Sequence, residues 1–200
     1  MSSVNKMQID KTVTLIIDSG IESWQYKTFL ESGRFTALLR QFMEEHPDPE
    51  PNPEPIIETY TVVLDYDMPL ADMIEAGDYS WVNRDIIVEN FPINERESGE
   101  VELHLVHFSR YMSTREVFTE LDKLRLRPAE LPELLALGAA HPTLQQEYPL
   151  AALGSEWVRP SGRLYAPFLN GYDETRHLNL SWDAHDGQWD DCDRFVAVSK

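Results

Sequence analysis

Apolar and polar residues alternate along several parts of the chain, and a period of two is typical of β-strands with one buried face. The clearest case is residues 100–108 (EVELHLVHF), where Val101, Leu103 and Leu105 fall on one face. Further strands are predicted from β-branched and aromatic content over 12–18, 56–67, 163–169, 177–182 and 194–198, and within 150–158. Turns are expected at 160–162, 170–171 and 186–187, because each contains a glycine suited to positive φ.

Apolar residues recur at helical spacing in other regions. Residues 23–45 place them at every third or fourth position, with Gly33 as an expected break. A short helix is predicted over 69–76, with a proline in its first turn and Gly77 after its end. A capping box formed by Ser113 and Glu116 predicts the start of another helix, and a further short helix is expected over 132–140.

A proline-rich connector separates two of these regions. Between residues 46 and 55 (HPDPEPNPEP) proline occupies every second position, which fixes φ and removes amide donors, so an extended segment is expected. The order of elements predicts an α+β protein in two parts. Residues 1–110 form an N-terminal α/β part that includes this connector, and residues 111–200 form an α+β part with short antiparallel strands. A single merged fold is the alternative.

The charge of the chain bears on its partners. Its 35 acidic residues against 17 lysines and arginines give a formal net charge of −18. Nucleic-acid surfaces are bound by replacing phosphate counterions with lysine and arginine, so direct nucleic-acid binding is disfavoured. The acidic excess fits a solvated surface, a basic protein partner or cation binding, and composition does not separate these three.

Cysteine count and hydropathy indicate the compartment. The single cysteine, Cys192, excludes an intrachain disulfide. Residues 1–11 are polar and lack the apolar core of a signal peptide, and no run of about 18 apolar residues is present. The sequence therefore predicts a cytoplasmic protein that does not contact a membrane.

Most catalytic motifs are missing from the sequence, which has no phosphate-binding glycine loop, no GxSxG and no HExxH. His104 and His107 are three apart on a strand, so they are expected to point to opposite faces rather than share a metal. The aspartates around Cys192 should raise its pKa and make it a poor nucleophile. No catalytic residue is predicted.

Residues 182–191 (WDAHDGQWDD) concentrate aspartates and two tryptophans around one glycine turn. Clustered carboxylates repel one another unless they are solvated, hydrogen-bonded or neutralised by a cation. Asp183, Asp186 and Asp190 are therefore candidate metal ligands, with calcium as the candidate ion, although the spacing does not match an EF-hand. No other cofactor is expected.

The same region resembles a known fold family. Residues 187–192 (GQWDDC), followed by 194–198 (RFVAV), resemble the end of C-type-lectin folds, where a Trp-Asn-Asp run precedes a cysteine and a final strand. Residues 127–134 (RPAELPEL) and 154–157 (GSEW) are similar to segments of the cysteine-poor branch. That branch includes formylglycine-generating-type proteins and the variable proteins of diversity-generating retroelements. The resemblance covers about residues 113–199 and extends to uncharacterised bacterial and phage proteins.

This resemblance implies a fold more than an activity. Asp190 stands where the family has asparagine, Cys192 has no partner cysteine, and the sugar-selecting motif is missing, so calcium-dependent sugar binding is not implied. Copper-binding cysteines are also missing from the sequence, so formylglycine generation is not implied. In such folds the loops between the last strands form the ligand surface, and tryptophans hold the core.

We therefore expect a non-enzymatic module that binds a protein partner through C-terminal loops, and the acidic net charge favours a basic partner. Aromatic residues with adaptable polar neighbours suit recognition at low entropic cost. The candidate ligand-binding residues are Tyr165, Asn170, Tyr172, Asp173, His185 and Trp189.

Three alternatives stay open. In the first, Trp157, Trp182 and Trp189 are core residues and form no exposed surface. In the second, the chain is an acidic inhibitor, encoded by a phage or a host, that occupies a basic nucleic-acid-binding groove. In the third, it is a metal-assisted hydrolase that uses His185 with the aspartates at 183, 186 and 190.

Overall fold

The computed structural model describes residues 22–45, 52–94, 96–181 and 188–200. It divides the chain into two compact units, residues 1–51 and residues 52–200. In the first unit, helix α1 spans Ser23–Glu31 and helix α2 spans Arg34–Glu45. Gly33 between them has a φ of 73°, which confirms the expected break. The strand predicted over 12–18 lies outside the described residues.

The second unit is an α+β fold. Its helices are α3 (Leu70–Ala76), α4 (Thr114–Lys123), α5 (Leu131–Ala140) and α6 (Leu144–Glu147). Its strands are β1 (Ile56–Leu64), β2 (Trp81–Val82), β3 (Gly99–His107), β4 (Met112–Ser113), β5 (Leu126–Pro128), β6 (Leu150–Ala151), β7 (Trp157–Val158), β8 (Leu164–Tyr172), β9 (Thr175–Ser181), β10 (Gln188–Trp189) and β11 (Arg194–Ser199). Among the described residues, no helix combines the length and the apolar character that crossing a membrane requires.

One mixed sheet organises this unit, with the strand order β1-β3-β11-β6-β8-β9-β2. Most neighbours are antiparallel, but β6 runs parallel to β11 and β2 runs parallel to β9. Strand β5 also pairs with β11, and β7 pairs with β8. The short strands β4 and β10 form a separate ribbon.

Each face of the sheet buries its own apolar cluster. Leu103 and Leu105 of β3 join one cluster, which α3 and α5 cover with leucines and Met73. Val106, the next residue along, joins the other cluster, which α4 covers with Val117 and Leu121. The alternation predicted for β3 is therefore confirmed, and so is the capping box of α4, where Ser113 Oγ accepts from the Glu116 amide.

The second unit extends over residues 52–200 and does not begin at residue 111. Strand β3 is a central strand, because β1 pairs with one of its edges and β11 pairs with the other. Residues that precede position 110 therefore share a sheet with the end of the chain. The division between the units falls instead after Pro51, inside the predicted proline-rich connector.

A guanidinium joins the ends of three helices to strand β9. Arg176 donates to the carbonyl of Gly138 at 2.5 Å and to the carbonyl of Gly77, near the C-terminal ends of α5 and α3. It also donates to Gln145 Oε1 of α6 at 3.2 Å and lies 5.0 Å from the centre of the Tyr79 ring. A cation at helix C-termini satisfies carbonyls that have no partner within the helix.

The hairpin between β8 and β9 turns later than the sequence predicts. Asn170 and Gly171 lie within β8, and the turn is formed by Asp173 and Glu174, whose φ values are 44° and 66°. Gly171 serves packing and not a turn, because a Cβ there would lie 2.7 Å from the Cα of Gln146. The turn expected at 160–162 is confirmed by Gly162, with a φ of 82°, and 186–187 lies outside the described residues.

Replacing Gly154 by alanine should destabilise the unit 52–200 by about 1–3 kcal/mol, because an added Cβ overpacks a rigid contact. That Cβ would lie 2.7 Å from the carbonyl oxygen of Ala129 and 2.8 Å from that of Pro128. Urea denaturation followed by circular dichroism measures the change. Gly99→Ala is the matched control, since nothing lies within 4 Å of its Cβ position. Equal stability of the two variants would contradict the close approach.

Candidate functional site

Trp189 does not belong to an exposed surface. Its side chain is only 4% exposed, and its ring meets Phe195 edge to face at 5.6 Å. The indole Nε1 donates to Thr114 Oγ1 at 2.9 Å, which satisfies its buried donor. Trp189 therefore packs in the apolar cluster that α4 covers. For this residue the structure agrees with the alternative in which the tryptophan belongs to the core.

The other predicted ligand residues on β8 lie at its two ends. Tyr172 is 71% exposed beside the turn residue Asp173, which is also exposed. Tyr165 is seven residues earlier, about 23 Å along the strand at about 3.3 Å per residue. Asn170 is half-buried, and its carbonyl accepts from Gln145 Nε2 at 2.8 Å. Tyr165 and Tyr172 therefore cannot share one small ligand site.

The proposed metal ligands are described only in part. Asp183, His185 and Asp186 lie outside the described residues. Asp190 is exposed, and its amide donates to Asp193 Oδ2 at 2.8 Å. Within the described ranges, no group of three or more histidine, cysteine, aspartate or glutamate side chains could hold a metal ion.

The histidines and the cysteine have the environments that the sequence predicts. His104 Nδ1 lies 3.1 Å from Thr59 Oγ1, whereas His107 Nε2 lies 2.6 Å from the carbonyl oxygen of Asp191. The two rings have different partners, in accord with opposite faces. The pKa of the Cys192 thiol is raised, mainly by partial burial and to a smaller extent by the neighbouring carboxylates of Asp193 and Asp190.

Tyr165 belongs to an arginine-centred surface at the β7–β8 hairpin. The Arg159 guanidinium carbon lies 4.8 Å from the centre of the Tyr165 ring and 5.4 Å from that of Trp157. An ion pair with Asp85 holds the guanidinium and raises the pKa of Arg159. The arginine side chain nevertheless stays 42% exposed. It is therefore oriented by three neighbours and still accessible from solvent.

The loop 83–91 brings apolar side chains next to this ion pair. Ile86 and Phe91 are buried in the core and anchor the loop, while Asn83 Oδ1 accepts from the Asp85 amide at 3.0 Å. Between the anchors, Ile87 is 44% exposed and Val88 is 54% exposed. On the hairpin, Val158 pairs with Leu164 and points to the face opposite Trp157 and Arg159. We call the set Trp157, Arg159, Tyr165, Ile87 and Val88 the arginine platform.

A second surface feature is an apolar cleft beside strand β1. Its volume is about 560 Å³, within the range of about 300–1,000 Å³ that is usual for ligand pockets. Alanines on α5 leave room in the cleft, and two methionines, whose side chains adapt easily to a bound group, also line it. The lining residues are residues 61–65, Met68, Met73, Ala76, Pro132, Leu135, Ala136, Ala139 and Ala140.

The comparisons with known proteins give no relative from which a function could be transferred. The chain matches no protein-family model, and no curated protein or solved structure shows significant similarity to it. Its function must therefore be inferred from the geometry of its own residues.

Sequence reasoning missed most of the arginine platform, although two signals point to it. Ile87 and Val88 extend an apolar run that begins at Ile86, and Arg159 follows directly on Trp157 and Val158. Neither signal shows that Asp85 pairs with an arginine 74 positions later. The acidic surroundings of the cleft can be recognised in the sequence, because the chain from 52 to 83 contains no lysine or arginine.

Proposed function

We propose that the chain is a protein-binding module without enzymatic chemistry, and that the arginine platform is its contact surface. The observation that carries this proposal is the Arg159 guanidinium, which lies over two aromatic rings, is held by Asp85 and remains 42% exposed. Arginine, tryptophan and tyrosine are the residues most enriched among interface hot spots. Exposed valine and isoleucine side chains around them supply apolar area.

Preorganisation supports the same proposal. Ordering a mobile side chain at an interface costs about 0.5–1.5 kcal/mol, and this cost is smaller where the unbound protein already holds the side chain. Arg159 is held by its rings and its carboxylate, and the loop 83–91 is anchored by Ile86 and Phe91. A partner would therefore meet a surface that is already shaped for binding.

The C-type-lectin-like arrangement of residues 113–199 is part of this proposal. Two helices, α4 and α5, precede strands β6 to β9, and the last strand, β11, pairs with β5. The resemblance assigns the ligand surface to the connections between the late strands. The β7–β8 hairpin, which carries Arg159, is one of those connections.

A photo-crosslinker at Val88, which is 54% exposed in the loop that carries Asp85, tests the proposed surface. The full chain, carrying p-benzoylphenylalanine in place of Val88, is irradiated in an extract of the cells from which the chain comes. We expect a discrete protein adduct that the same crosslinker at Tyr111, which is 56% exposed and outside the platform, does not form. Identical adducts at the two positions, or none at Val88, would show that the platform is not a specific contact surface.

Arg159→Ala should weaken binding of the captured partner about 30-fold, the loss expected at a hot spot. Calorimetry with the purified partner measures this change. Arg115→Ala on α4 removes the same charge at an exposed position and should leave the dissociation constant unchanged. A loss of the same size in both variants would indicate that net charge, and not the stacked guanidinium, controls binding.

A further inference from the structure

Strand β1 is a long unprotected edge. It pairs with β3 without interruption, from Ile56 opposite His107 to Leu64 opposite Gly99, and no other described strand pairs with it. Proteins usually protect such edges with a bulge, a proline, a lysine or a very short strand. Residues 56–64 contain no proline or lysine, and the unbroken register leaves no bulge. The backbone of β1 is therefore suited to accept a further strand.

Apolar groups accompany this free edge. Val63 is 77% exposed, Ile56 is 55% exposed and Ile57 is 42% exposed, which is unusual for β-branched residues in a strand. The cleft of about 560 Å³ opens beside the same strand. A strand added to β1 would point alternate side chains to opposite faces, so that one set could enter the cleft.

The charged side chains of the edge strand and of the elements that line the cleft are acidic, and Arg96, which lies over the Tyr66 ring, is paired with Glu130. Residues 52–83 contain seven acidic side chains and no lysine or arginine; the acids are Glu54, Glu58, Asp65, Asp67, Asp72, Glu75 and Asp78. Helix α5, the other wall of the cleft, has no lysine or arginine, and neither does β3, which carries Glu100 and Glu102. The field at this edge therefore attracts cations and repels anions.

We infer that the β1 edge and its cleft bind an extended segment of a partner protein, flanked by lysine or arginine, which adds to the sheet as a strand beside β1. Main-chain hydrogen bonds along the edge supply affinity that does not depend on sequence. Apolar side chains in the cleft and cationic side chains opposite the carboxylates supply the selection. This surface is separate from the arginine platform, so binding at the β1 edge does not depend on the function proposed for that platform.

The charge argues against two other occupants. A second copy of the chain would bring two acidic edges together in a molecule whose net charge is already −18. A nucleic acid would place phosphates against carboxylates, with no cation from β1, β3 or α5 to offset them. A basic peptide segment meets neither obstacle.

Three synthetic peptides test the inference with the full chain. The probe alternates valine and threonine between lysine pairs, and its two controls replace the lysines by glutamate or by glutamine. Fluorescence anisotropy should show the strongest binding for the lysine-flanked peptide and none for the glutamate-flanked one. Affinity for the lysine-flanked peptide should fall about tenfold as salt rises from about 50 to about 500 mM.

Two protein variants, each with a matched control variant, locate the bound peptide. Val63→Lys puts a cation on the exposed edge and should reduce binding of the lysine-flanked peptide at least about tenfold. Its control, Thr119→Lys, adds the same charge at an exposed position of α4 and should have little effect. Ala139→Phe fills the cleft and should reduce binding, whereas Ala71→Phe, on an exposed position outside the lining, should not. Circular dichroism confirms that each variant is folded.

N-methylated forms of the lysine-flanked peptide distinguish strand addition from other modes. Methylation of alternate amides on one edge should abolish binding, and methylation on the other edge should leave it intact. The inference is overturned if both methylated forms bind equally, if lysine and glutamate flanks bind equally, if Val63→Lys binds as the unchanged chain does, or if no peptide binds. A dimer in sedimentation that Val63→Lys dissociates would assign the edge to a second copy instead.

Discussion

Replacing Glu133 by alanine should lower the free energy of unfolding of the unit 52–200 by about 3–5 kcal/mol, the cost of breaking a buried ion pair on one side. Glu133 is fully buried in the first turn of α5. Its oxygens accept from Arg127 at 2.6 and 3.1 Å and from the Tyr66 hydroxyl at 2.9 Å. The backbone amide of Glu130 also donates to it, at 2.6 Å.

The size of this effect comes from the groups that would be left behind. Arg127 is about two-thirds buried and a guanidinium keeps its proton at neutral pH, so the variant would leave its charge without its main partner. The Tyr66 hydroxyl would lose its acceptor in the core. Arg96 keeps its ion pair with Glu130 and would be affected less.

The free energy of unfolding is measured by urea denaturation with tryptophan fluorescence as the signal. Two further variants serve for comparison. Glu133→Gln keeps the shape of the side chain and one acceptor oxygen, so its stability should lie between those of the unchanged chain and Glu133→Ala. Glu97→Ala removes an exposed carboxylate and should change stability by less than about 0.5 kcal/mol. A similarly small change at Glu133 would mean that water replaces the carboxylate and that the network does not stabilise the fold.

Sequence patterns predict the elements that depend on near neighbours. The alternation in β3, the capping box of Ser113 and Glu116, and the break at Gly33 are all set by residues a few positions apart. Each of these predictions is confirmed. The α+β class follows from the same local signals, because helical and strand-like periods alternate along the chain.

Features that depend on distant pairing do not follow from the sequence. The sheet joins β3 to β11, about ninety residues apart, and no local pattern announces that pairing. The predicted division at residue 110 misses it for this reason. The turn at Asp173 and Glu174 was placed at Asn170 and Gly171 because a glycine can serve a turn or a close contact, and only the position of α6 decides which.

The two candidate surfaces differ in the same respect. The acidic character of the β1 edge can be read along the chain, since residues 52–83 lack lysine and arginine. The arginine platform cannot be read in this way, because Asp85 and Arg159 are 74 positions apart and only the fold brings them together. Tyr165 was placed in a ligand surface by its residue type, and the neighbours that give it a specific geometry come from the fold.

Replacing Trp189 by alanine should destabilise the unit 52–200 by about 3–5 kcal/mol, as is usual for a large buried aromatic side chain. The substitution removes the edge-to-face contact with Phe195 and leaves Thr114 Oγ1 without the indole donor. Trp189→Phe keeps much of the apolar volume but not the donor, so its loss should be smaller. Trp81→Ala removes an indole that is 46% exposed and should cost less than about 1 kcal/mol.

The Trp189 variants also separate folding from binding. If the ring is a core residue, Trp189→Phe should lose stability in urea while the folded protein still forms the adduct at Val88, because β10 pairs with β4 and contributes no residue to the arginine platform. If the ring is instead a contact residue, that adduct should disappear with little change in stability. The second outcome would return Trp189 to the ligand surface and contradict the burial that places it beneath α4.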